Sequence, residues 1–128
     1  MILYAAADLV WATRIQSTAE SVGVSCRPAR TPEMLRARLD EGPVRAILLD
    51  LDDPEQAFAL LDALRGEHAG PRELGVRVVV WGPHVATDLF ERARREGADE
   101  VMARGSFSST LPGLLRRLGG GGEGVTPR

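Results

Sequence analysis

Lysine is missing from this chain: every one of its 16 basic residues is arginine. No reaction that needs a lysine amine can run here. Cysteine is almost missing too. Cys26 stands alone, so there is no internal disulfide and no cysteine-built metal cluster. The only two histidines, His68 and His84, lack the spacing of a ligand pair and read as surface residues near helix ends. An excess of positive charge is lacking as well. The formal net charge is −2, whereas a sequence-independent nucleic-acid binder needs a basic surface. No apolar run reaches the roughly 18 residues of a membrane span. The opening MILYAAADLVW has no basic n-region, and Asp8 interrupts it. The expectation is a cytoplasmic protein with no membrane span and no nucleic-acid partner. Its 128 residues, 44% hydrophobic and 27% charged, suit one compact domain.

What is present is an alternation. Five short apolar runs occur at 1–6 (MILYAA), 24–28 (VSCRP), 44–50 (VRAILLD), 76–81 (VRVVVW) and 100–103 (EVMA). Beyond their first arginine, the third and fourth are apolar on both faces, as a strand between two helical layers must be. Helical periods fill the gaps. Segment 8–22 has Asp8 as N-cap and Gly23 as stop. Segment 31–41 opens Thr31-Pro32-Glu33, a cap followed by a first-turn proline and an acid that suits the helix dipole. Segments 54–67, 84–96 and 107–118 follow. Pro112 is tolerable only in a first turn, which favours a start of the last helix at Ser109 or Thr110. The order βαβαβαβαβα predicts an α/β, flavodoxin-like (βα)5 domain over 1–118. Its doubly wound parallel five-stranded sheet should have strand order 2-1-3-4-5. The tail 119–128, GGGGEGVTPR, reads as a flexible end or a tether.

Sites in such sheets lie at the carboxyl ends of the strands, near the switch between strands one and three. Asp50 ends strand three there, with Asp52, Asp53 and Glu55 behind it. Two segments at this end of the sheet, AILLDLDDP (46–54) and EGADEVMARGSF (96–107), resemble motifs of response-regulator receiver domains. In that family an aspartate ending the third strand takes a phosphoryl group, and a proline follows four residues later, as Pro54 does here. The fifth-strand motif runs Gly-Ala-Asp, apolar residues, then Lys, Pro and Phe; here Phe107 comes one place late. The resemblance covers residues 1 to about 118.

The departures from that pattern bear on function. The family's two Mg²⁺-binding acids after strand one fall at Ala6 and Ala7. Its strand-four Ser or Thr falls at Gly82, its Lys at Arg104, its Pro at Gly105 and its strand-five aromatic at Val101. Of the reactive set only Asp50 remains. Phosphoryl transfer depends on positioning and charge stabilisation, and Mg²⁺ wants several oxygen ligands. Weak or absent Mg²⁺ binding is therefore expected, with no cofactor. Asp8 is a second carboxylate near the site, although capping the first helix suits it better. Asp52 and Asp53 are expected to face solvent. Arg104 is expected to pair with Asp50 as the counter-charge in place of the metal. Trp81 is expected beside the site, filling the space left by the lost groups. Trp11 is expected near the same rim, and each indole N–H should find a partner.

The resemblance then implies a non-enzymatic, degenerate receiver (a pseudo-receiver) in a bacterial two-component or phosphorelay pathway. It would act through a protein partner or a second copy of itself. The family's usual partner face corresponds here to the last two helices and the last strand. That face carries Arg94, Arg95, Arg116 and Arg117. These arginines are either a solvated, ion-paired face or a docking site for an acidic partner. Two alternatives stay open: a phosphoacceptor using Asp50, and a small-molecule-binding flavodoxin-like protein.

Overall fold

The computed structural model describes residues 1–120. The elements are β1 (Ile2–Ala5), α1 (Leu9–Val22), β2 (Cys26–Pro28), α2 (Pro32–Glu41), β3 (Ala46–Asp50), α3 (Pro54–Arg65), α4 (Pro71–Leu74), β4 (Arg77–Gly82), α5 (Thr87–Arg95), β5 (Glu100–Ala103) and α6 (Arg104–Gly119). All strand pairs are parallel, in the order β2-β1-β3-β4-β5, as the alternation predicts.

Successive strand residues point to opposite faces, so the apolar runs feed two cores. Ile47, Leu49, Val78 and Val80 face α2, α3 and α5, where Leu35, Leu39, Phe58, Leu61, Leu64 and Phe90 cover them. Ala46, Leu48, Val79 and Trp81 face α1 and α6, where Ile15, Ala19, Phe107, Leu111 and Leu115 cover them. Burying each such Leu, Ile or Phe contributes roughly 1.5–3 kcal/mol. Cys26 lies in the second core, and burial pushes its thiol up to about 12, which leaves it unreactive.

The caps form where the sequence puts them. Asp8 Oδ1 accepts from Trp11 N at 2.9 Å, and Gly23 ends α1 at φ 74°. Thr31 Oγ1 accepts from Met34 N at 3.1 Å, with Pro32 in the first turn.

Three features differ from expectation. The short α4 was not anticipated. Helix α5 begins at Thr87, because residues 83–86 form a turn closed by Ala86 N donating to Pro83 O at 2.9 Å. Helix α6 begins at Arg104 and runs through Pro112. A proline inside a helix strands the carbonyl one turn back, here that of Ser108. Arg14 Nη2 on α1 donates to Ser108 O at 3.2 Å and satisfies it. Gly119 is the last residue of α6 and Gly120 its left-handed C-cap. The rest of the glycine-rich tail, 121–128, lies outside the described residues. Among the described residues no helix is long and apolar enough to cross a membrane.

Candidate functional site at the carboxyl ends of the strands

Asp50 closes β3 and pairs in register with Trp81 of β4. It is 2% exposed and the one buried charged side chain among the described residues. Both carboxylate oxygens are engaged by backbone. Ala7 N, after β1, donates to Oδ2 at 2.9 Å, and Asp52 N donates to Oδ1 at 3.0 Å. Burial raises the Asp50 pKa; the two amide bonds oppose that rise, and the nearby charges of Asp52 and Asp8 add to it. The carboxylate thus joins the β1–α1 loop to the β3–α3 loop.

The other acids have separate tasks. Asp8 caps α1. Asp53 caps α3, its Oδ1 accepting from Gln56 N at 3.2 Å. Asp52 is exposed but not unpaired: Arg104 Nη2 donates to its Oδ2 at 2.6 Å. This corrects the expected Asp50–Arg104 pair. Asp50 lies below the surface with both oxygens already held, whereas Arg104 starts α6 at the exposed rim and meets the loop acid first. The pair is 44% exposed on the arginine side and 37% on the aspartate side.

Gly82 ends β4 beside Ala103 of β5. A Cβ there would lie 3.0 Å from Leu51 Cβ and 3.4 Å from Phe90 Cε1, so neighbouring side chains already take up the room. Trp81 is fully buried and stacks on Phe107 with centroids 4.2 Å apart and planes 4° from parallel. Trp11 tilts against both rings at 5.6 and 5.5 Å, and the Arg14 guanidinium lies 5.3 Å from its ring centre. The indoles do meet at the site, but Trp81 Nε1 has no hydrogen-bond partner among the described residues, contrary to expectation. The wedge formed by α1, β4 and α6 is lined with ring carbon, which offers no acceptor.

These residues do not fit a divalent cation. Ala6 and Ala7 carry no oxygen side chain, Asp8 is committed to its helix, and both Asp50 oxygens accept amide hydrogens. Among the described residues no three acid, histidine or cysteine side chains converge.

The arginines proposed for a partner face divide in two. Arg94 and Arg95 on α5 and Arg116 on α6 are exposed and make no ion pair among the described residues. Arg117 instead grips Glu100 with two bonds, at 2.8 and 2.9 Å, and that pairing, helped by Arg77, lowers the Glu100 pKa. Neighbouring Arg92 bonds Glu96 at 2.7 Å and lies 3.7 Å over the Phe58 ring.

Sequence reading missed Arg65. Its guanidinium is largely buried. It donates to the carbonyls of Gly97 (3.0 Å), Glu73 (3.2 Å) and Val76 (2.6 Å), and pairs with Asp99 at 3.0 Å. Asp99 Oδ2 also accepts from Val78 N at 2.8 Å. Gly97 is the one local signal. At φ 110° it tolerates no side chain, and a Cβ would lie 2.7 Å from Arg65 Cγ.

No protein-family model and no curated protein matches the chain. Solved structures do. The receiver domain of a signal transduction histidine kinase from Syntrophus aciditrophicus superposes with a TM-score of 0.73 at 20% identity, over 99% of this chain and 92% of that one. The fold is that of a response-regulator receiver domain. The receiver domain of a Pseudomonas aeruginosa sensor histidine kinase gives a TM-score of 0.71 at 19% identity, covering 93% of this chain and 96% of that one; it holds a magnesium ion in its active-site cleft. NtrX from Brucella abortus gives a TM-score of 0.71 at 20% identity over 91% of this chain, which spans only 25% of NtrX. In the strand order of this sheet, Asp50 lies buried at the carboxyl end of β3, next to the end of β1.

Proposed function

We propose that this chain is a receiver-fold signalling module that works by protein–protein contact, without phosphorylation at Asp50 and without enzymatic activity, in the cytoplasm of a bacterium. The observation that carries this reading is the engagement of both Asp50 oxygens by backbone amides, beside acids already committed elsewhere (Asp8 to the α1 cap, Asp52 to Arg104) and with no hydroxyl or lysine to support phosphoryl transfer. Each Asp50 oxygen spends one lone pair as a tie between loops. Among the described residues, no metal-ligand set, hydroxyl or lysine stands beside the remaining lone pairs to stabilise the charge of a transferred phosphoryl group.

The partner face assigned to this module is built on α5 and α6. Arg94, Arg95 and Arg116 offer fixed positive charge to an acidic partner or to the acidic side chains of a second copy. Arg117 braces Glu100 and contributes to the shape of this face more than to its free charge.

One observation favours the rival reading, a phosphoacceptor: Asp50 ends the third strand at the switch point. An amide NMR titration separates the two. Mg²⁺ is added alone and then with beryllofluoride, which mimics a phosphoryl group on aspartate. The proposed function expects no saturable shifts at Ala7, Asp52 or Gly82. Saturable shifts that need both additives and vanish in Asp50→Asn would establish the phosphoacceptor instead.

A further inference from the structure

The edge of the sheet farthest from Asp50 carries a second, unassigned feature. Where β3, β4 and β5 begin, four guanidiniums meet around a cleft of about 610 Å³: Arg45, Arg65, Arg77 and Arg117, with Asp99 between them and Leu74 on the wall. They come from four places in the chain, namely the residue before β3, the end of α3, the start of β4 and the last turns of α6. Arg77 pairs in register with Ala46, and its backbone N donates to Arg45 O at 3.0 Å, which ties the two chain segments together at the mouth of the cleft.

Two carboxylates are shared among these four cations. Asp99 holds Arg65, and Glu100 holds Arg77 at 3.3 Å and Arg117 at 2.8 Å. Among the described residues two positive charges are left over. The free donors are equally specific. Arg65 spends its N–H groups on carbonyls and Asp99, and Arg117 spends both Nη on Glu100. Arg77 bonds Glu100 only through Nε, so both its Nη remain available. The Arg45 side chain makes no hydrogen bond or ion pair among the described residues. Guanidinium forks match phosphate oxygens in pairs. The cleft volume falls within the roughly 300–1,000 Å³ of small-molecule sites. Leu74, 54% exposed, adds an apolar surface beside the charge.

We propose that this cleft binds a small phosphate ester, its dianionic phosphate held between Arg45 and Arg77 and its organic part lying against Leu74. The site is independent of Asp50 and is placed where strand ends, α3 and α6 all meet, so occupancy would brace α6 against the sheet.

Calorimetric titration of the full chain at low salt tests this, with inorganic phosphate and adenosine monophosphate as separate probes. The expected result is saturable one-to-one binding of the monophosphate with a Kd below about 1 mM, weakening as salt rises. Arg45→Gln should weaken it at least about tenfold, the scale of a lost charge-assisted bond. Arg77→Gln should do the same, but it also loosens Glu100, so Arg45→Gln is the decisive variant. Leu74→Ala should weaken the monophosphate and leave inorganic phosphate unchanged. The double change Arg94→Gln and Arg95→Gln on α5 should alter neither. No saturation by either probe up to about 10 mM overturns the proposal. So does equal weakening by the α5 variant, which would mean unspecific charge attraction. Equal affinity for the two probes overturns the ester assignment.

Discussion

Ala7 and Asp50, 43 residues apart in the chain, are joined by a 2.9 Å hydrogen bond from the backbone N–H of the first to Oδ2 of the second. With the matching bond from Asp52 N, one buried carboxylate fixes the loops that follow β1 and β3. A buried acid at a strand end is usually read as chemistry; here its geometry is that of a tie. Asp50→Ala leaves two amides without an acceptor in a closed pocket. Each costs about 1–3 kcal/mol, partly offset by removal of a buried charge. A net destabilisation of about 2 kcal/mol is expected in urea unfolding, with faster hydrogen exchange at Ala7 and Asp52. Unchanged stability together with unchanged exchange would mean that the tie is not made.

The pH dependence of that tie has a definite sign. Burial holds the Asp50 pKa above its ordinary 3.8. The folded chain therefore keeps a proton over a window in which the unfolded chain has lost it. The stability this gives is full below 3.8 and is lost as pH rises through the raised value. Asp50→Asn cannot titrate, and the other acids are present in both chains. The stability of the parent relative to Asp50→Asn should fall between acid conditions and about pH 7, read from urea midpoints. A flat difference would show that Asp50 has an ordinary pKa.

Arg104 separates the observed site from the expected one. Its partner is exposed Asp52, so Arg104→Ala should cost only about 0–1 kcal/mol. The Asp50 carboxyl should titrate as in the parent, since its neighbours in charge are Asp52 and Asp8. Carboxyl NMR of both chains checks this. A clear rise in the Asp50 pKa would restore the Asp50–Arg104 pair.

Why one relationship was legible and the other was not follows from what each is made of. The strand order came from apolar runs and helix caps, which are local: Asp8, Thr31 and Gly23 do what their residue types favour. The ties on Asp50 are made by the backbone N–H groups of Ala7 and Asp52, and an amide leaves no mark on residue identity. The passage of α6 through Pro112 rests on Arg14, far away in sequence, satisfying the Ser108 carbonyl. Arg104 was assigned to the right corner of the fold but to the wrong acid. Three aspartates fall within four residues there, and only depth below the surface distinguishes them.

Arg65 should matter more for stability than any exposed arginine. It is mostly buried and serves four backbone carbonyls, those of Leu64, Glu73, Val76 and Gly97, besides Asp99. Arg65→Met keeps much of the stem and removes every donor. It leaves Asp99 partly buried without its cation, with an expected loss of about 3–5 kcal/mol in urea unfolding. Arg116→Met, on exposed α6, should lie within about 0.5 kcal/mol of the parent. Similar losses in the two variants would mean that the Arg65 network contributes nothing.

Gly82→Thr supplies the hydroxyl expected at this strand end from the receiver resemblance, and it tests whether one residue makes the site responsive. Packing opposes it first. The new Cβ would sit 3.0 Å from Leu51 Cβ, closer than side chains normally approach, and 3.4 Å from the Phe90 ring. Leu51 must shift, at a cost of about 1–3 kcal/mol in the melting transition. Gly82→Ala meets the same contact and should lose nearly as much, which identifies Cβ and not the hydroxyl as the cause. Chemistry opposes it second. A hydroxyl at this place adds a donor for phosphoryl oxygen but does not free Asp50, whose two oxygens stay with Ala7 and Asp52. Gly82→Thr should therefore remain silent to beryllofluoride and Mg²⁺ in amide NMR. A response in that variant alone would show that the backbone ties yield readily and that a hydroxyl at residue 82 is enough to make the site responsive.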